Sequence, residues 1–226
     1  MLVKICGISD PDHARRAVGC GADWVGMVFV PRPPSDPRSK RVVSVETAKR
    51  IVAALSGRTE AIGLFQNQPT AQVVATARAV GLTAIQLHGQ ETADGVEALL
   101  AELPSVRVLK AFGYTGCGTL EHMLAFQRSL SNADRLLGLL LDGPFGGGTG
   151  RTFDWSELGE ALDAPAYAGL RRKLVLAGGL SSQNVERAIR MVRPMGVDVS
   201  SGVESSPGVK DPKKIEEFIR LAKAGN

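Results

Sequence analysis

Residues 2–20 read LVKICGISDPDHARRAVGC. Leu2–Cys6 is a short, largely apolar run with β-branched residues, ended by Gly7, and it reads as a strand. Asp10 then stands where a helix N-cap accepts backbone N–H groups, and Pro11 sits at the first helical position, where its missing N–H costs nothing. Pro11–Cys20 is therefore expected as a helix. One strand joined to one helix is half of a parallel crossover unit. Repeats of that unit build either a closed barrel or an open doubly wound sheet, and the first turn helps to separate them. A doubly wound sheet usually carries GxGxxG after its first strand. Here the turn is Cys6-Gly7-Ile8-Ser9, which lacks that fingerprint.

Moving outward, the unit recurs along the whole chain. Strands are expected at Asp23–Phe29, Ala61–Phe65, Thr83–Leu87, Val106–Lys110, Leu136–Asp142, Lys173–Ala177 and Val197–Ser200. Helices are expected at Val45–Leu55 (capped by Ser44), Thr70–Val80, Thr92–Glu102, Leu120–Leu130, Asp154–Leu162, Ser182–Val192 and Pro212–Ala224. Gly21 and Gly81 each fall between a helix and the next strand, where a left-handed residue ends the helix. Eight such units, without a linker or composition break in 226 residues, predict a single (β/α)8 TIM barrel of class α/β spanning 1–226.

Composition agrees with that reading. Hydrophobic residues make up 44% of the chain and aromatics only 5%, so aliphatic side chains must fill strands covered on both faces. The formal charge of +4 is a weak excess. Its densest basic stretch, Arg32–Arg41, is a Pro-rich loop without interleaved aromatics, so nucleic acid is not an expected partner. Three cysteines at irregular spacing form neither a disulfide framework nor a zinc pattern. No apolar stretch reaches the roughly 18 residues of a membrane span, and MLVKICGIS has no signal-peptide core, so a cytoplasmic protein is expected.

Barrel strands alternate inward and outward. If Val3 and Ile5 face the helices, Lys4 and Cys6 face the barrel axis. The same parity turns Gln86 and His88, Leu140 and Asp142, and Asp198 and Ser200 inward. Polar groups thus gather at the carboxyl ends of four strands, where barrel enzymes hold their chemistry. Cys6 is either a small buried thiol or, as a thiolate, a base or nucleophile. Asp142 precedes Gly143–Gly150, a loop rich enough in glycine to move; its carboxyl is either a loop cap or a general acid. Asp198 is a candidate partner for the inward Lys4. His88 is a donor, an acid–base group or a satisfied structural side chain. Cys20, at a helix end, and Cys117, in a Gly-flanked loop, are expected to be inert.

Two glycine-bearing loops follow adjacent strands: Ala177-Gly178-Gly179-Leu180 after the seventh, and Ser200-Ser201-Gly202 after the eighth. In many barrels these two loops hold a phosphate on backbone N–H groups. Arg41, at the end of the Pro-rich loop, can grip a carboxylate bidentately, or be a solvated loop arginine. Three scattered histidines give no metal site.

The longer motifs carry a resemblance. Val3–Ile8 (VKICGI), Leu64–Asn67 (LFQN), Ile85–Gly89 (IQLHG), Leu139–Asp142 (LLLD), Gly147–Trp155 (GGTGRTFDW), Leu176–Leu180 (LAGGL), Gly196–Glu204 (GVDVSSGVE) and Gly208–Asp211 (GVKD) appear in that order. With these the chain resembles the phosphoribosylanthranilate isomerases of tryptophan biosynthesis, nearly end to end. The resemblance implies an Amadori rearrangement of N-(5-phosphoribosyl)anthranilate without a cofactor. It implies Asp142 as general acid and Cys6 as general base, Arg41 on the anthranilate carboxylate, Asp198 on a ribose hydroxyl and His88 lining the pocket. Gly178, Gly179, Ser201 and Gly202 would hold the phosphate. It leaves monomer and homodimer both open. The loop before Arg41 carries extra prolines, and Ser35-Asp36-Pro37-Arg38 offers Arg38 as a competing alignment. The segment Tyr114–Arg135 looks longer than the family's. Three other functions fit parts of the pattern. A Schiff-base aldolase would use Lys110. The two-aspartate sugar-phosphate isomerase of histidine biosynthesis would carry Asp in place of Cys6. A non-catalytic phosphate-binding barrel would need neither acid nor base.

Overall fold

The computed structural model describes residues 1–55, 57, 59–144 and 152–225. Eight parallel strands close on themselves in chain order: β1 (Leu2–Cys6), β2 (Trp24–Val28), β3 (Glu60–Phe65), β4 (Ala84–Leu87), β5 (Arg107–Gly113), β6 (Leu136–Asp142), β7 (Leu174–Leu176) and β8 (Gly196–Val199). The helices α1 (Pro11–Gly19), α2 (Val45–Ala54), α3 (Thr70–Val80), α4 (Ala93–Glu102), α5 (Cys117–Ser129), α6 (Trp155–Asp163), α7 (Val185–Val192) and α8 (Pro212–Ala224) follow the strands in turn. Closure is made by β1 against β8, with Leu2 beside Gly196 and Lys4 beside Asp198. No described helix is long and apolar enough to cross a membrane.

The inward–outward alternation runs as the sequence predicts. Val3, Ile5, Ile85, Leu139, Leu141 and Val197 belong to the layer between strands and helices, each fully buried. Trp24, Ile62, Ala84, Leu109, Leu140 and Val175 form a separate cluster inside the barrel. Burial of a Leu, Ile or Val side chain stabilises by roughly 1.5–3 kcal/mol, so this inner plug contributes as well as the outer layer. It fills the lower barrel and leaves the polar ends of the strands above it.

Several boundaries differ from expectation for local reasons. β5 runs three residues beyond Lys110, because long β6 offers it partners as far as Gly113 beside Asp142. α5 starts at Cys117, so this cysteine opens a helix rather than lying in a loop. Gly116, at φ 108°, turns the chain into that helix, and Thr119 Oγ1 accepts from Thr115 N–H while donating to Gly113 C=O. α7 starts at Val185, later than Ser182, because Asn184 spends its side chain on the preceding loop. Its Oδ1 accepts from Ser181 N–H at 2.8 Å and its Nδ2 donates to Gly179 C=O at 2.9 Å. After β8 the chain forms a small antiparallel hairpin, β9 (Glu204–Ser206) and β10 (Val209–Lys210), which periodicity does not reveal. The expected glycine-rich loop falls largely on residues 145–151, outside the described residues.

Helix glycines separate packing from propensity. A Cβ on Gly159 of α6 would run into the Met191 carbonyl of α7, whereas one on Gly118 of α5 would meet nothing within 4 Å. Gly118→Ala is expected to stabilise by about 0.5–1 kcal/mol from helix propensity. Gly159→Ala is expected to destabilise by about 1–3 kcal/mol despite the same propensity gain. Paired urea titrations check this; shifts of one sign would mean that propensity alone decides both sites.

Candidate active site

A cavity of about 340 Å³ opens at the carboxyl ends of the strands. It is lined by Cys6 of β1, Arg41 from the loop after β2, Gln86 and His88 at β4, Asp142 of β6, Gly178 and Gly179 after β7, and Asp198 and Ser201 at β8. Eight of the nine residues singled out from the sequence therefore line the wall of one cavity. The ninth, Gly202, lies behind that wall, where a Cβ would strike the Leu180 carbonyl. Its bareness lets the β8 loop pack against the β7 loop.

Cys6 is 5% exposed and free. Burial pushes its thiol up, while the charge of Lys4 pulls it back towards the thiolate. Lys4 is fully buried and donates to Asp198 Oδ1 at 3.0 Å, the pairing suggested by strand parity. Burial alone would lower Lys4; the negative charges of Asp198 and a Cys6 thiolate outweigh it and raise it, so Lys4 stays cationic.

Asp142 is 6% exposed, and its Oδ1 accepts from Gly143 N–H at 2.8 Å. Gly178, at φ +88°, comes so close that its Cβ position would be 3.1 Å from Oδ1 and 2.6 Å from Gly143 N. Glycine thus answers two needs at once there: a left-handed backbone and room for the carboxyl. Asp142 Oδ2 lies 3.6 Å from His88 Nε2. Gln86 Nε2 donates to His88 Nδ1 at 3.0 Å, which leaves the ring proton on Nε2, facing Asp142. Gln86 Oε1 is buried without a partner among the described residues.

Arg41 is buried and bidentate to Glu204 of β9, with Nε to Oε1 and Nη2 to Oε2 both at 2.8 Å. Lys210 of β10 donates to the same Glu204 Oε1 at 2.9 Å and to Ser200 C=O at 2.9 Å. Burial alone would raise Glu204, but the Arg41 hydrogen bonds and the Lys210 charge outweigh it and hold it below its ordinary value. Arg38 also lines the cavity, yet its Nε and Nη2 are spent on Asp36, which Arg32 approaches at 3.3 Å. The sequence reading missed Glu204 and Lys210 as site residues. Their signal was present in the motifs GVDVSSGVE and GVKD, but nothing local says that they meet Arg41.

Lys110 does not serve this cavity. Leu109 and Ala111 are the inward residues of β5, and the Lys110 ammonium turns outward. It is held by Gly89 C=O at 2.8 Å, Ala111 C=O at 3.1 Å and Glu91 Oε2 at 3.1 Å. A Schiff base with a ligand in the cavity is out of its reach. Among the described residues no three His, Cys, Asp or Glu side chains gather as a metal site.

Comparison with known proteins bears on the same residues. A family model described as N-(5'phosphoribosyl)anthranilate (PRA) isomerase matches residues 3–221. An N-(5'-phosphoribosyl)anthranilate isomerase of Pelobacter propionicus is 42% identical over 224 residues, 98% of this chain and 95% of that one. The crystal structure of phosphoribosyl anthranilate isomerase from Thermotoga maritima superposes with a TM-score of 0.83 at 39% identity, covering 99% of both chains. Another structure of such an isomerase holds reduced 1-(o-carboxyphenylamino)-1-deoxyribulose 5-phosphate. It matches with a TM-score of 0.78 at 35% identity, over 99% of both chains.

Glu204→Ala leaves two buried cations without their carboxylate, and removing one partner of a buried pair costs about 3–5 kcal/mol. Urea denaturation at neutral pH is expected to show that loss; under 1 kcal/mol would mean the cluster adds nothing net. Because the native Glu204 carboxyl is lowered, its contribution is fully present above its unfolded value of about 4.3 and fades as pH falls through the lower native value. The Glu204→Gln protein is expected to lack that acid limb.

Proposed function

We propose a division of labour for this chain, which belongs to the N-(5'-phosphoribosyl)anthranilate isomerase family and isomerises N-(5'-phosphoribosyl)anthranilate in tryptophan biosynthesis. Asp142 is the general acid and Cys6 the general base. The observation that carries this is their common cavity: a carboxyl from β6 and a thiol from β1, three strands apart around the barrel, face one space. A substrate between them is reached from two sides.

Asp142 gives its proton to the ribose ring oxygen as the C1′–O bond breaks. The anthranilate nitrogen donates its lone pair to C1′, and the ring opens to an iminium. Cys6, as thiolate, takes the proton from C2′. The electrons of that C–H bond form the C1′=C2′ double bond and neutralise the iminium nitrogen. The resulting enolamine tautomerises to the 2-ketone, its C2′ hydroxyl losing a proton as C1′ gains one, and the proton on Cys6 passes through solvent to Asp142 to restore both groups. Atoms and electrons balance as an isomerisation, and the iminium itself is the electron sink, so no cofactor enters the scheme.

The remaining groups hold the two anionic ends. Arg41 takes the anthranilate carboxylate. Two of its five N–H donors go to Glu204, which leaves three along the Nη1–Nη2 edge for a second, bidentate partner. Arg41 is preferred to Arg38 because its guanidinium is buried and fixed from behind by Glu204, whereas Arg38 is 37% exposed. Gly178, Gly179 and Ser201, which line the cavity, receive the phosphate, and Gly202 packs the β8 loop against the β7 loop behind them; Ser201 opens a 3₁₀ turn, Ser201–Val203, whose first amides have no acceptor inside the turn. Asp198 accepts from a ribose hydroxyl, and His88 lines the sugar beside the acid.

Turnover of purified variants tests the assignment. Cys6→Ala and Asp142→Ala are each expected to lose at least about a hundredfold in kcat, the lower range for an acid–base group. A near wild-type rate from either removes that residue from its role. Arg41→Lys keeps the charge but loses the fork, so KM is expected to rise about tenfold or more with a smaller change in kcat. An unchanged KM would pass the carboxylate to Arg38.

A further inference from the structure

We propose that Lys4 is the positioning residue of the base: its buried ammonium steadies the Cys6 sulfur as an anion, while Asp198 fixes the ammonium in place. The proposal rests on the reading of Cys6 as base, and it follows from where the buried charges sit. Lys4 and Cys6 are both inward residues of β1, two apart, so their side chains rise from the same face of one strand. Gly26 of β2 pairs with Cys6, and both side chains lean over it. The Cβ position of Gly26 is 3.0 Å from Cys6 Sγ and 3.0 Å from Lys4 Nζ, so those two atoms are at most 6.0 Å apart. An opposite charge within about 4–6 Å favours the ionised form of its neighbour.

The balance of the whole cluster agrees. Lys4, Arg41 and Lys210 are cations and Asp198 and Glu204 carboxylates; four of the five are at most 7% exposed, and the Asp198 side chain is 10% exposed. Three positive charges against two negative ones leave a surplus of one, at a place where water does not screen it. A thiolate at Cys6 cancels that surplus. These are the charged groups that face Cys6 from the adjoining elements: Lys4 on its own strand, Asp198 from β8, Lys210 from β10 and Arg41 from the loop after β2. Asp142 and His88 face it across the cavity. Of the cations, Lys4 shares the Cys6 strand and, among the described residues, pairs with Asp198 and no second carboxylate; Arg41 and Lys210 are already tied to Glu204. Its surroundings below are the apolar barrel plug, where a lysine is expensive unless it is paired or functional.

The test reads Cys6 ionisation directly, in the full chain with Cys20 and Cys117 replaced by serine. The rate of iodoacetamide alkylation against pH gives the midpoint of the thiol. In Lys4→Met the midpoint is expected at least one pH unit higher, so that alkylation at pH 8 slows about tenfold or more. kcat is expected to fall by a similar factor with KM changed less than threefold, and Lys4→Arg is expected to recover part of both. A folded Lys4→Met protein with the wild-type midpoint overturns the proposal. Where Lys4→Met does not fold because Asp198 is stranded, the reciprocal measurement decides. Lys4, followed by the NMR signal of its labelled ε-carbon, is expected to lose its proton at lower pH in Cys6→Ser than in the wild type, and an unchanged titration overturns the proposal. Alkylation is independent of turnover. A Cys6→Ala protein that still turns over would sink the base assignment and leave the midpoint difference between wild type and Lys4→Met as measured, and an unmoved midpoint in Lys4→Met would sink the Lys4 role without touching the base.

Discussion

A charge inside a closed barrel has to be answered inside it, because taking an ion out of water costs several kcal/mol that only a well-placed partner returns. Lys4 is such a charge, and much of the upper barrel is arranged around it and its neighbours. Asp198 answers Lys4 across the β1–β8 seam, in the register where the first and last strands meet. The seam that closes the sheet is therefore also the seam that holds an ion pair. Slipping β8 by one residue would turn Asp198 to the helices and Val197 or Val199 to the axis, leaving Lys4 alone. The same contact thus opposes a register error and sets the electrostatic setting of the thiol.

The second buried cluster does for the loops what the first does for the strands. Glu204 lies between Arg41 and Lys210, and Lys210 also holds Ser200 C=O. This ties the loop after β2 to the hairpin β9–β10 and to the end of β8. Gly208, at the hairpin tip, approaches the Lys40 carbonyl so closely that a Cβ there would be 2.6 Å from it. On the proposed binding mode, a substrate that reaches from Arg41 to the loops after β7 and β8 spans parts already fixed to one another. Little ordering is left to be done on binding, which is the condition for spending binding energy on the reaction.

How far the sequence is legible follows from the range of each interaction. Parity is local, and it alone turns Cys6, His88, Asp142 and Asp198 to one space, because each strand keeps its alternation from end to end. The Lys4–Asp198 pair is legible for the same reason, once the barrel is known to close. Arg41 and Glu204 are 163 residues apart and meet through a hairpin of three- and two-residue strands. No periodicity of that length exists to announce it. Lys110 shows the opposite failure: its place at an expected strand end suggested a nucleophile, but the strand continues and its parity faces the helices. The extra length of β5 comes from β6, a partner that the β5 residues do not describe. The late start of α7 likewise comes from the Asn184 side chain, whose choice between capping its own helix and capping Ser181 is settled by the loop above it.

The two clusters differ in what they leave over. Lys4 and Asp198 make one pair, and Arg41 and Lys210 share the single carboxylate of Glu204, so the two clusters together hold one more cation than carboxylate. A surplus charge that only stabilised the fold would be a poor arrangement, since a neutral side chain in its place would avoid the desolvation cost. It makes physical sense where the surplus is needed for only part of a cycle. Cys6 is such a user: it is anionic when it takes the C2′ proton and a neutral thiol once it holds it. Burial disfavours that anion and holds the thiol above its ordinary value, and the positive charge of Lys4 works against that rise. A base needs such a counterweight, because it acts only in its deprotonated form. A barrel supplies it cheaply, because strand alternation gathers opposite charges on one rim while the apolar plug beneath them keeps water from levelling their differences.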